Sequence, residues 1–517
     1  MTHAPRGRAA PAAAGLVLLV LGLLPVWALA LETPFRLVDD YGALVALQRP
    51  PAGLLREAFS LRENPVRFRP THDLGQLICW HLLGNAPAAH HAVRLLMKLL
   101  AFAAFLGVAR REAARAAGRA PAGAAALALA ALGVALFFYL PNNPEARLAP
   151  QELALTLYLM AALYFVSWRP ARVAPRVVDA LFFASFTLAL WSKEPAFLLA
   201  APVLALAWMP AGDPPRSVTP PARLAALAVW LHAAAKAAVM SAGGGYGRPP
   251  LTAAGVRKMA AYLPRQALFT EAVPWLWAVF LGGALLCAWH QLARPAAGRG
   301  RAWVPWALLS AAVAQYLLLW EVVLRYAWPV TVLAGLLALV GAGAAMARAA
   351  PAAAARWALG VTLLALAVAA STYGPMTAQF AMQHMSGHDE RAALLGAEQA
   401  ARESAAALHV TRTSEYTYRA ALYFGGHLPR YEGRSVAVST VRRADDIAPG
   451  GLLLARAEVP EGFDVLARFG PADPPPALLR AEAVSRAARL GRAAPEMPLD
   501  AGAPGLPSTP WFLARRR

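Results

Sequence analysis

Two adjacent carboxylates, Asp39 and Asp40, stand in Pro34-Phe-Arg-Leu-Val-Asp-Asp-Tyr41, directly after a long apolar run. Adjacent carboxylates repel, so one of the pair holds its proton nearer neutral pH unless a cation is close. That suits a general base beside a binding carboxylate, with a solvated interfacial turn as the competing reading. Arg69-Pro70, followed by His72 and Asp73, supplies a guanidinium whose planar fork matches a phosphate, or one that simply snorkels. His90-His91 opens the next apolar segment, and His91, Arg94 and Lys98 recur at helical spacing on one face. Such a histidine pair suggests a metal, but at a helix start it reads more readily as interfacial.

Pro141-Asn-Asn-Pro-Glu145 brings back another carboxylate, and Trp191-Ser192-Lys193-Glu194-Pro195 is a polar break between two apolar runs. The chain has four lysines (98, 193, 236 and 258), which leaves 45 of its 49 basic residues as arginine. A lysine at 193 therefore carries information that an arginine would not. His232 and Lys236 read as snorkelling groups near a helix end, and Glu321 and Arg325-Tyr326 bracket a further junction. Together these groups suit a substrate with an anionic head and a lipid tail. The cations hold a phosphate, and a carboxylate deprotonates an acceptor arriving from the water side.

The elements that must position them are apolar helices. Of 517 residues, 58% are hydrophobic and 15% charged, with a mean hydropathy of +0.44. The excess falls in blocks long enough to cross a hydrocarbon core of about 30 Å. Soluble, disordered and disulfide-framework classes are excluded, as is a barrel of alternating strands. The net charge of +20 sits between apolar blocks rather than on one basic face, which argues against nucleic acid as a partner. Cys79 and Cys287 in apolar surroundings imply neither a disulfide scaffold nor a metal site.

Spans are predicted near 15–31, 88–109, 122–140, 151–168, 178–191, 195–209, 222–241, 273–290, 303–320, 327–347 and 356–373. Ala28-Leu29-Ala30 resembles a signal-peptidase site, but the many later spans favour an uncleaved anchor. With the N-terminus cytoplasmic, the arginines of alternate connections all fall inside, as the positive-inside rule requires. An odd number of spans then puts the C-terminus outside. The expected protein is a multi-pass protein of a bacterial inner membrane. Its membrane domain covers 1–373, with a long first outer loop at 32–87. A small α/β periplasmic domain is expected over 374–470: helices Asp389–Leu408 and Glu415–Phe424, and strands at His409–Thr413, 435–440 and 451–457. Residues 471–517 are Pro/Ala-rich and read as a loosely ordered tail.

Taken in order, Asp39-Asp40-Tyr41, Phe68-Arg69-Pro70, the segment from Pro87 through His90-His91, Pro141-Asn-Asn-Pro-Glu145, Trp191-Ser192-Lys193-Glu194-Pro195 and Arg325-Tyr326 resemble the membrane-embedded GT-C glycosyltransferases that use polyprenyl-phosphate sugars. Within that superfamily the likeness is to the protein O-mannosyltransferase-like branch, including transmembrane and tetratricopeptide-repeat mannosyltransferases, over roughly residues 15–345. The repeats of that branch are missing. The tail is instead similar in style to the periplasmic domain of bacterial lipid A aminoarabinose transferases, and Arg94 and Lys98 stand where the family shows Asn and His.

The resemblance implies a GT-C-like fold of about eleven transmembrane helices. It implies a first-loop aspartate, Asp39 or Asp40, as catalytic base, and Glu145 as the second-loop acid that assists it or holds a divalent metal ion. Lys193 and Arg325, with Arg69, would bind the donor phosphate, and Tyr41, His91, Glu194 and Tyr326 complete the candidate site. The expected function is inverting transfer of a sugar from a polyprenyl-phosphate donor to a periplasmic lipid, glycan or protein hydroxyl. Competing readings are a lipid-linked sugar transporter or flippase, an O-antigen polymerase or ligase, and a non-catalytic envelope assembly protein.

Overall fold

The computed structural model describes residues 9–35, 69–140, 150–167, 173–193, 196–209, 217–242, 275–293, 303–319, 328–411, 420–441, 443–456, 458–470 and 510–517, with isolated positions at 52–60 and 253–273. Helix α1 is Ala10–Glu32, α2 Pro70–Leu83, α3 Pro87–Ala117, α4 Ala124–Phe138, α5 Pro150–Ser167 and α6 Pro175–Leu190. Helix α7 is Ala196–Leu206, α8 Pro220–Ala242, α9 Leu276–Leu292, α10 Val304–Leu319, α11 Trp328–Arg348 and α12 Pro351–Ser404. All but α2 overlap predicted spans, although α3 runs to Ala117 and α12 to Ser404, well past the predicted ends at 109 and 373. Among the described residues, five stretches are long and apolar enough to cross a membrane: α1, α3, Pro220–Val239, α11 and Pro351–Gly374. The protein is a polytopic helical membrane protein with a small C-terminal sheet.

Helix α11 is the axis of the bundle, with every residue from Trp328 to Ala347 except Pro329 buried. It packs against α3, α4, α9, α10 and α12. Its close approach to α9 depends on missing side chains. A Cβ at Gly341 would overlap the Gly283 carbonyl oxygen and lie 2.8 Å from the Cys287 nitrogen. Without a hydrophobic force between helices in lipid, such backbone proximity supplies the packing energy.

Four of the arginines predicted to lie on one side of the membrane, Arg111, Arg115, Arg119 and Arg348, gather at one end of the bundle. Arg115 donates to the Ser167 carbonyl at 3.0 Å, Arg348 to Ala116 at 2.8 Å and Arg119 to Ala349 at 3.0 Å. Arg111 lies 4.1 Å over the Tyr164 ring. These cations meet carbonyls at or just beyond the C-terminal ends of α3, α5 and α11, where the helix dipole is negative. Trp208, Trp289, Trp303 and Trp357 are exposed at this same end, and Trp275 and Trp277 at the other, as two interfacial aromatic belts would be.

The long helix α12 runs about 80 Å at 1.5 Å per residue. It continues unbroken through Gly374-Pro375, across the 373/374 boundary drawn from the sequence. Strands β1 (Leu408–Thr411), β2 (Val438–Val441), β3 (Leu452–Arg456), β4 (Phe463–Phe469) and β5 (Trp511–Arg516) form one sheet in the order β2-β1-β3-β5-β4. Here β1 is parallel to β2 and β3, and β5 is antiparallel to β3 and β4. Within the segment 471–517, read from the sequence as a loosely ordered tail, Trp511–Arg516 forms strand β5 inside the sheet, and residues 471–509 lie outside the described residues. Residues 412–419, where the second domain helix was expected to begin, lie outside the described residues. Helical structure is present from 420 to 432, with a π turn at Tyr423–His427.

Candidate functional site

The end of the bundle opposite the arginine carbonyl network carries a second set of cations, and these are buried. Lys236 is 0% exposed, Lys98 2%, Lys193 3% and Arg94 5%. Three of the four lysines are therefore inside the protein, and Lys258 lies outside the described residues. Burying a charge at membrane depth costs several kcal/mol, so such residues cluster where an anion or a polar cavity compensates them. The sequence flagged only Lys193 by its rarity, and the same signal applied to Lys98 and Lys236. Lys236, read from the sequence as a snorkelling group, is covered by protein, and its ammonium donates to the Ser60 carbonyl of the first loop.

Contacts between the elements show how the segments around these cations are held. Helix α2 begins where α6 ends, because the Thr71 N–H donates to the Trp191 carbonyl at 3.0 Å and its hydroxyl to the Leu188 carbonyl at 3.0 Å. That fixes the Arg69 backbone beside the Ser192-Lys193 break, which the sequence could not specify. Lys98 lies 5.4 Å over the Phe138 ring at the end of α4. Phe137 meets Trp328 at 5.5 Å, and Trp328 donates its indole N–H to the Thr156 hydroxyl at 3.1 Å. The start of α11 thus stands beside the end of α4 and the first turns of α5.

Asp39, Asp40, Tyr41, Glu145, Glu194, Arg325 and Tyr326 lie outside the described residues.

His90 and His91 are buried within the protein. The His91 Nε2 hydrogen bonds the Thr33 carbonyl at 2.9 Å and the His90 Nε2 the Gly84 carbonyl at 3.0 Å, so each ring fixes a bend of the first loop. Among the described residues, no three His, Cys, Asp or Glu side chains form a group that could hold a metal ion.

No family model and no curated protein matches the chain. Among solved structures, the crystal structure of ArnT from Cupriavidus metallidurans bound to undecaprenyl phosphate aligns with 79% of this chain and 74% of that chain, at 15% identity and a TM-score of 0.37. A likeness of that degree fixes neither the fold nor the activity of this chain.

Proposed function

We propose that the protein is an inverting glycosyltransferase that moves a sugar from a polyprenyl-phosphate donor to an acceptor hydroxyl on the periplasmic side of a bacterial inner membrane. The observation that carries this reading is the burial of Arg94, Lys98, Lys193 and Lys236 toward one end of an apolar bundle. A phosphate at the head of a lipid tail is the ligand for which buried cations beside lipid-facing helices are suited.

In the reaction, Asp39 or Asp40 accepts the proton of the acceptor hydroxyl as its oxygen attacks the anomeric carbon. The bond from that carbon to the phosphate oxygen breaks on the opposite face, and the lipid phosphate leaves with the electron pair. Lys193, Arg325 and Arg69 stabilise the charge on the departing phosphate. A transporter would need charged groups available along a path to both faces. At the other end, arginines 115, 119 and 348 are instead directed at helix carbonyls, which favours the transferase.

The test is to incubate membranes containing the protein with a panel of polyprenyl-phosphate sugars, with and without a chelator. Donor-dependent product from at least one of them is expected. Absence of product from every donor, with the protein folded and acceptor present, overturns the reading.

A further inference from the structure

The C-terminal domain shares its core with the first loop. Phe35, three residues past the end of α1, is 2% exposed. Its ring centroid lies 4.9 Å from Trp80 and 5.1 Å from His90, and Trp80 lies 4.7 Å from His90. Phe35 and Trp80 belong to the same buried cluster as Ala393, Leu394 and Ala397 of α12 and Trp511 of β5.

Polar and close contacts run along the edge of this cluster. Thr33 Oγ1 is 3.5 Å from His384 Nδ1, and a Cβ at Gly387 would lie 3.3 Å from Pro34 Cδ. Asn85 Nδ2 donates to Glu432 Oε1 at 3.1 Å. The domain therefore grips both roots of the first loop, residues 33–35 and 80–85. A domain merely tethered by α12 would keep an apolar core of its own, with no ring borrowed from the membrane part.

We propose that Phe35, Trp80 and His90 are positioning residues through which the docked C-terminal domain holds the roots of the first loop, the loop whose sequence carries Asp39-Asp40. This rests on the transferase reading for its catalytic consequence, while the docking itself stands independently of it. Only Arg36, Leu37 and Val38 lie between Phe35 and Asp39 in the chain, so a change at Phe35 acts close to the proposed base. Releasing the ring is then expected to act on the proposed base rather than on the cations that bind donor, so turnover falls and donor affinity does not.

Two measurements on the full-length protein in lipid test it. In a Cys79→Ser background, maleimide labelling of a thiol introduced by Val38→Cys is timed with Trp80 intact, with Trp80→Ala and with Trp80→Phe. About tenfold faster labelling in Trp80→Ala, restored by Trp80→Phe, is expected for a released loop. Equal rates in all three overturn the proposal, whether or not the protein transfers sugar. With an active donor, Trp80→Ala should lower kcat about tenfold and leave the donor KM within about twofold, whereas a raised KM at unchanged kcat contradicts it. Asn85→Leu, at the edge of the contact, repeats both readouts without opening the core, and should give a smaller change in the same direction. No change in either readout would count against the docking role.

Discussion

The backbone N–H of Thr71 donates to the carbonyl of Trp191 at 3.0 Å, joining two segments 120 residues apart in the chain. Each partner is two residues from a candidate phosphate ligand, Arg69 on one strand of the chain and Lys193 on the other. That contact brings together the two segments that carry the proposed phosphate ligands. Lys193→Met should therefore raise the donor KM or weaken binding of the donor's lipid phosphate by about 10–100-fold, the worth of a hydrogen bond to a charged group. Titration of polyprenyl phosphate against the folded variant checks this, and unchanged affinity would remove Lys193 from the site.

The α9–α11 contact makes a stability prediction independent of function. Gly341→Ala places a methyl against the backbone of Gly283 and Cys287, and overpacking of this kind costs about 1–3 kcal/mol. Gly282→Ala, whose Cβ would meet nothing within 4 Å, is the matched control. Thermal unfolding in detergent should show a lowered Tm for the first and little change for the second.

The docked domain should lose stability in acid. Burial first, and His388 second, hold His384 below the ordinary histidine value of 6.5, against an upward pull from Glu32. Burial likewise lowers His409. A histidine whose folded value is depressed stays neutral in the native state, so the unfolded chain takes protons more readily as pH falls through its ordinary range. Unfolding of the C-terminal domain should come at lower temperature at about pH 5.5 than at about pH 7.5, and His384→Gln should shrink that difference. The ring of His388, 4.4 Å away, and the carboxylates Asp389 and Glu390 remain in the variant as the local background.

The spans were legible because each is an apolar block bounded by arginine or proline, and lipid accepts little else. The continuity of α12 was not, since Gly374-Pro375 reads as a break. The helix passes through it with threonine hydroxyls bonding back to carbonyls on either side, Thr372 to Val368 and Thr377 to Tyr373, each at 2.8 Å. Strand β5 was also hidden. Trp511-Phe-Leu-Ala-Arg-Arg becomes a strand by pairing with β3 and β4, both far earlier in the chain, and no local pattern announces such a partner.

For the candidate site, residue type and rarity revealed Lys193, and helical spacing placed Arg94 and Lys98 on one face. Spacing could not reveal that Phe35, Trp80 and His90 meet, because adjacent loop and helix positions carry no record of their tertiary neighbours.

The central claim is that a first-loop carboxylate takes the acceptor proton while buried cations hold the leaving phosphate. The most direct measurement is sugar transfer by Asp39→Asn, Asp40→Asn and the double variant, each checked for normal membrane insertion. Loss of at least about 100-fold in one single variant and in the double is the predicted result, the scale of a general base removed. Full activity in both single variants and in the double would contradict the account.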